Sequence, residues 1–111
     1  MIFSIYFNFF FDTKSISGKE KILRKVNQTL INKYGVNSVH CNSDTKFMVH
    51  VENDKWDSLL LDLIEFSQVI GQQWIITGSI NFECSLWSNH SKIVGVSSIG
   101  IDVDNVIPIT P

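Results

Sequence analysis

Two runs of strict alternation constrain the fold of this chain more than any other feature. From Trp74 to Leu86 every second residue is apolar or glycine (Trp74, Ile76, Gly78, Ile80, Phe82, Cys84, Leu86), and the intervening residues apart from Ile75 are polar. The same period runs near the start, where Phe3, Ile5, Phe7, Phe9 and Phe11 alternate with Ser4, Tyr6, Asn8, Phe10 and Asp12. Successive strand side chains point to opposite faces, so each run reads as a strand with one face on a core and the other on water or a partner. Residues 93–103, IVGVSSIGIDV, read as a strand returning from the second run through a tight turn at Asn89 and His90. That register sets Leu86 opposite Ile93, Cys84 opposite Gly95, Ile80 opposite Ile99 and Ile76 opposite Val103, so the apolar sets share one face.

Helical periods lie between the strands. SGKE at 17–20 matches a capping box and predicts a helix start, followed by the stripe Ile22, Leu23, Val26, Leu30 and Tyr34 and a stop at Gly35. Val36 to Glu52 reads as a hairpin turning in NSDT at 42–45, with Val39 and Cys41 facing Val49 and Phe47. Asp54 is placed to cap a second helix that buries Trp56, Leu59, Leu60, Leu63, Phe66 and Ile70 and stops at Gly71. The order βαββαββ predicts an α+β fold, a single antiparallel sheet with two helices on one face, ferredoxin-like plus an extra C-terminal strand. All 111 residues read as one domain, closing on the extended tail IPITP.

Several classes of function find no support in these residues. Nothing reaches the length of about 20 apolar residues needed to cross a bilayer. IFSIYFNFFFD lacks the basic start of a signal peptide and alternates as a strand does, so a soluble, cytoplasmic protein is expected. Cys41 and Cys84 fall on apolar strand faces and read as small hydrophobes rather than a disulfide or metal pair. No nucleophile elbow, phosphate-cradling loop or dinucleotide fingerprint occurs, and His40 and Cys41, as strand neighbours, point to opposite faces. His40 and His50 come together diagonally on the solvent face of the middle hairpin, with Glu52 the one obvious third ligand. Metal sites require three or four ligands, so none is assigned. The reading is a non-enzyme without cofactor.

Charge is segregated along the chain. Residues 1–50 carry seven basic against three acidic side chains, and residues 51–111 two against eight. The first helix exposes Lys21, Arg24 and Lys25 beside Gln28 and Asn32, which reads as a solvated face because the total charge is −2. On the second helix Asp54, Asp57, Asp62 and Glu65 share the outward arc, with Leu61 in its middle. On the last hairpin the non-core face collects Glu83, Asp102 and Asp104 with Thr77, Asn81, Ser85 and Trp87. Carboxylates around an aromatic anchor suit a basic protein partner.

A compact, acidic-sided, cytosolic chain without catalytic apparatus, rich in Asn, Ser, Ile and Lys, resembles in type the small bacterial immunity proteins encoded beside contact-dependent growth-inhibition and other polymorphic toxins. The resemblance is to the whole chain and carries over no family residue. It implies tight binding to a cognate toxin, a nuclease domain above all, whose basic active site the carboxylates would block. The residues placed to do so are Asp54, Asp57, Leu61, Asp62 and Glu65, or Glu83, Trp87, Asp102 and Asp104. Two rival readings are a ferredoxin-like module for a small or regulatory ligand and a homo-oligomer built through the open sheet face.

Overall fold

The computed structural model describes residues 2–43, 45–79 and 82–104. The N-terminal alternating run forms β1 (Ile2–Phe11), in which Phe3, Ile5, Phe7 and Phe9 are each at most 1 % exposed. α1 (Ile16–Tyr34), β2 (Val39–Cys41), β3 (Lys46–Glu52) and α2 (Trp56–Ile70) follow, then β4 (Gly71–Gln72), β5 (Ile75–Thr77), β6 (Glu83–Ser88), β7 (His90–Ser91) and β8 (Val96–Asp104). Six strands make one antiparallel sheet in the order β2-β3-β1-β8-β6-β5, and β4 pairs with β7 in a separate ribbon. The α+β class is as expected, with both helices contributing to one buried cluster on one side of the sheet. The C-terminal strand is not an addition at the rim: β8 lies beside β1, and the β5–β6 hairpin forms the outer strands.

Phe7 shows why the helices dock where they do. Its ring lies 6.2 Å from Tyr34 at the end of α1 and 6.1 Å, edge-on, from Phe66 of α2, so one side chain of the central strand touches both helices. Burying such a ring is worth about 1.5–3 kcal/mol. The predicted stripes hold: Ile22, Val26 and Leu30 of α1 and Trp56, Leu59, Leu60, Leu63, Phe66 and Ile70 of α2 are buried, with Leu23 and Tyr34 packed at the margin.

The helix starts differ from the sequence reading. Ser15, not Ser17, caps α1, its hydroxyl accepting the Gly18 N–H at 3.0 Å, and Glu20 stays exposed. Both serines have a glycine or glutamate at reach, and Ser15 wins because Thr13 Oγ1 accepts its own N–H (3.2 Å) and holds the entering chain. Lys55 occupies the cap position of α2 in place of Asp54, with the Lys55 N–H donating to Asn53 Oδ1 at 3.1 Å. The C-terminal end of α2 is satisfied by a distant loop. The Lys92 N–H donates to Ile70 O (2.9 Å) and Lys92 Nζ to Gln68 O (2.7 Å), which serves last-turn carbonyls, while Trp74 Nε1 (2.9 Å) joins the Gly71 N–H on Ser67 O.

The largest departure concerns the run from Trp74 to Leu86. It is not one strand but a hairpin, β5 and β6, pairing Ile75 with Trp87, Ile76 with Leu86 and Thr77 with Ser85. Alternation cannot separate the two arrangements, because this pairing sets even against even and leaves each residue on its predicted face. Gly78 makes the fold-back possible. Its φ is +112°, and a Cβ there would stand 2.9 Å from Glu83 O. Phe82, assigned to the core, is 70 % exposed in the turn. The β6–β8 register is also displaced: Cys84 meets Val103 and Leu86 meets Ile101. The connection from Asn89 to Gly95 is wide, not tight, because β7 is drawn away to pair with β4.

The middle hairpin has the predicted register, Val39 with Val49 and Cys41 with Phe47. Cys41 is exposed nonetheless, its thiol donating to Ser43 O at 3.0 Å, because β2 is a three-residue edge strand whose end runs past the core. Cys84 is 4 % exposed, as expected. The IPITP tail, Ile80, Asn81 and Asp44 lie outside the described residues. Gly78→Ala is expected to cost about 1–3 kcal/mol through its backbone conformation and the contact with Glu83 O, measured as a fall in urea midpoint with unchanged m-value.

Candidate functional site

The face of the sheet turned away from the helices carries the even residues of β1 and their neighbours. Across one row stand His40, Met48, Tyr6, Asp102, Ser85 and Thr77, and across the next Lys46, Asn8, Gly100, Trp87 and Ile75. Tyr6, Phe10, Trp87 and Ile75 are 45, 41, 37 and 60 % exposed. They are an aromatic and aliphatic set on the face that alternation leaves to water or a partner, and of them the sequence reading singled out Trp87.

Trp87 is held rather than loose. It rests against Gly100, where an added Cβ would come within 3.2 Å of the indole, and it meets Phe10 edge-on at 5.4 Å. Its Nε1 donates to Asn89 Oδ1 (3.1 Å), which also accepts from Ser98 Oγ (2.9 Å). An aromatic fixed this way loses little freedom on meeting a partner, which is what makes exposed tryptophan an effective anchor. Beside this set, Asn8 Oδ1 is buried and has no hydrogen-bond partner among the described residues.

The carboxylates predicted on this face gather at one corner. Glu83 and Asp104 are directly opposite in the β6–β8 ladder, and Asp102 is the next open-face residue along β8. Asp102 accepts from Ser85 Oγ at 2.6 Å. Like charges directly opposite on a sheet destabilise it. All three carboxylates are exposed, and no ion pair involving them occurs among the described residues.

The second predicted set is on the other layer. Asp57 and Glu65 are exposed on the outward arc of α2, Leu61 is 61 % exposed, and Asp54 is exposed just before the helix. Asp62 is different: Lys33 Nζ of α1 lies 2.7 Å from its Oδ1. The outward arc therefore presents one carboxylate fewer than its sequence suggests, and the two predicted sets do not form one surface. Tyr6, Phe10 and Ile75 were missed as site residues, although Tyr6 and Phe10 occupy the non-core positions of the N-terminal alternation.

His40 and His50 meet as predicted, ring centroids 5.2 Å apart, with Ser4 Oγ 3.3 Å from His50 Nδ1. No group of three metal-ligating side chains occurs among the described residues. No described helix is long and apolar enough to cross a membrane. Comparison with protein-family models, curated proteins and solved structures finds no match.

Two expectations follow. Glu83→Gln removes a like-charge pair, so it raises stability by about 0.2–1 kcal/mol, a gain that shrinks with added salt and is measurable by urea unfolding at two ionic strengths. The Tyr34 phenol is held above its ordinary range by burial and then by the Asp62 carboxylate, and its hydroxyl has no partner among the described residues. The contribution of Tyr34 to stability is therefore constant below a tyrosine's usual pKa of about 10 and falls as pH rises past it. Cys84, raised by burial and then by Asp102, adds a loss of the same sign from the thiol range. Tyr34→Phe abolishes the upper part of this alkaline loss while changing neutral-pH stability by no more than about 1 kcal/mol.

Proposed function

We propose that this chain is a toxin-neutralising immunity protein that binds its partner through the open face of the sheet. The observation that carries the reading is the placement of Glu83 directly opposite Asp104, with Asp102 alongside, next to an exposed and pre-oriented Trp87. A sequence that keeps mutually repelling carboxylates beside exposed aromatics breaks rules of sheet stability, and such violations concentrate where a protein functions. A partner offering lysine or arginine removes the repulsion and desolvates the aromatic set in one step.

A nuclease toxin fits that description, because a site that holds phosphate must be basic. In this reading Glu83, Asp102 and Asp104 stand where phosphates of the nucleic acid would otherwise sit, so inhibition is competitive. Tyr6, Phe10, Trp87 and Ile75 supply the contact area, and a donor from the partner reaches Asn8 Oδ1. The α2 set of Asp54, Asp57, Leu61, Asp62 and Glu65 lies on the opposite layer and is left free.

The test is calorimetry against a cognate nuclease toxin domain. Glu83→Lys with Asp102→Lys is expected to weaken binding by at least about thirtyfold, about 2 kcal/mol. Asp62→Lys with Glu65→Lys is expected to stay within about 0.5 kcal/mol of the parent, with circular dichroism confirming both folds. Equal binding by the sheet variant overturns the proposal, and loss confined to the helix variant moves the site to α2.

A further inference from the structure

Edge strands offer unpaired backbone groups to any passing chain, and natural sheets protect them with short length, charge, proline, bulges or cover; β5 is short, three residues, and so has room for a small contact only. β5 has neither charge nor proline: between Glu65 and Glu83 no residue is of either kind. It carries an isoleucine on each face. Ile75 lies on the open face, 60 % exposed, and Ile76 on the helix-side face, 51 % exposed past the end of the core.

The direction of its free backbone groups follows by counting across the sheet, since residues of an antiparallel strand bond alternately to one neighbour and the other. The Phe9 N–H donates to Thr45 O at 2.8 Å, so odd residues of β1 bond toward β3 and even ones toward β8. Even residues of β8 then bond toward β1 and odd ones toward β6. Val103 and Ile101 face Cys84 and Leu86, which leaves the odd residues of β6 to bond β5. These are Trp87 and Ser85, opposite Ile75 and Thr77. The N–H and C=O of Ile76 therefore point away from the sheet. The same count holds at the other edge, where the His50 N–H donates to Ser38 O (3.0 Å) and the Asn42 N–H to Lys46 O (2.8 Å).

We infer that β5 pairs antiparallel with β5 of a second copy about a two-fold axis at Ile76, joining two six-stranded sheets edge to edge. The contact is self-complementary: each Ile76 N–H donates to the other copy's Ile76 carbonyl, and the two Ile76 side chains cover one another. On the open face Ile75 falls opposite the other copy's Thr77. Charge selects this edge over the open face as the place where identical chains meet. The segment is neutral, whereas stacking open faces would bring Glu83, Asp102 and Asp104 of two copies together. With one residue per chain supplying the central bonds, the contact belongs to the small, reversible class. It shares Ile75 alone with the proposed toxin contact and leaves Tyr6, Phe10, Trp87 and the three carboxylates of both open faces uncovered, so its test is independent of the toxin reading.

Sedimentation velocity over a concentration series tests it, using the full chain, Ile76→Pro, Ile76→Lys and Trp87→Ala. The parent is expected to shift reversibly toward twice its monomer mass as concentration rises, and Trp87→Ala to do the same. Ile76→Pro removes an N–H that bonds to none of the described residues, and Ile76→Lys sets two ammonium groups together at the axis. Both are expected to remain at monomer mass, and if the proline variant fails to fold by circular dichroism the lysine variant decides. The inference is overturned by a parent that stays at monomer mass throughout, by a folded Ile76 variant that doubles in mass like the parent, or by a dimer that Trp87→Ala abolishes.

Discussion

The fold depends on β1 being paired along both of its edges while only one of its faces is covered. Its odd residues are buried under α1 and α2, and its even residues form the middle of the open face. Pairing on both sides fixes the position of the strand, and burial of Phe3, Ile5, Phe7 and Phe9 fixes which way it faces. Hydrogen bonds in the ladder are individually worth only about 0.5–1.5 kcal/mol net, so the aromatic burial sets the register and the ladder follows it. The same geometry aligns Tyr6 with Asp102 and Asn8 with Gly100, placing the candidate site at the centre of the sheet rather than at its rim.

Much of this was legible because burial imposes a period directly. The stripes of both helices, the two faces of β1 and the register of the middle hairpin each leave one arrangement that keeps apolar residues together. What stayed hidden were choices that parity cannot distinguish. Folding residues 74–88 back on themselves, or sliding β6 along β8 by an even number of positions, leaves every side chain on the same face. Helix caps were ambiguous for a related reason, since Ser15 and Ser17 offer the same hydroxyl and only the Thr13 contact separates them. Cys41 shows a third limit: a residue can point to the core side and still be wet where a short edge strand outruns the core.

The candidate site was half legible. Its carboxylates stood out because charge on a strand is uncommon, whereas Tyr6 and Phe10 read as ordinary members of an aromatic strand. Only the position of β8 next to β1, with β6 beyond it, brings Phe10 and Trp87 into contact. The helix set, equally visible in sequence, loses one of its charges to Lys33, a contact that no local pattern announces.

The placement of β8 has a consequence for the birth of the molecule. The strand that completes the centre of the sheet pairs Ile5 with Val103 and Phe7 with Ile101, partners separated by nearly the whole chain. Contacts of such separation slow folding, because a long loop must close before any of them forms. During synthesis β1 can gather β3 and the helices early, yet its second edge waits until β8 has left the ribosome. Until then the nascent chain carries a phenylalanine-rich strand with one open side, and its need for protection from other chains lasts until β8 has emerged.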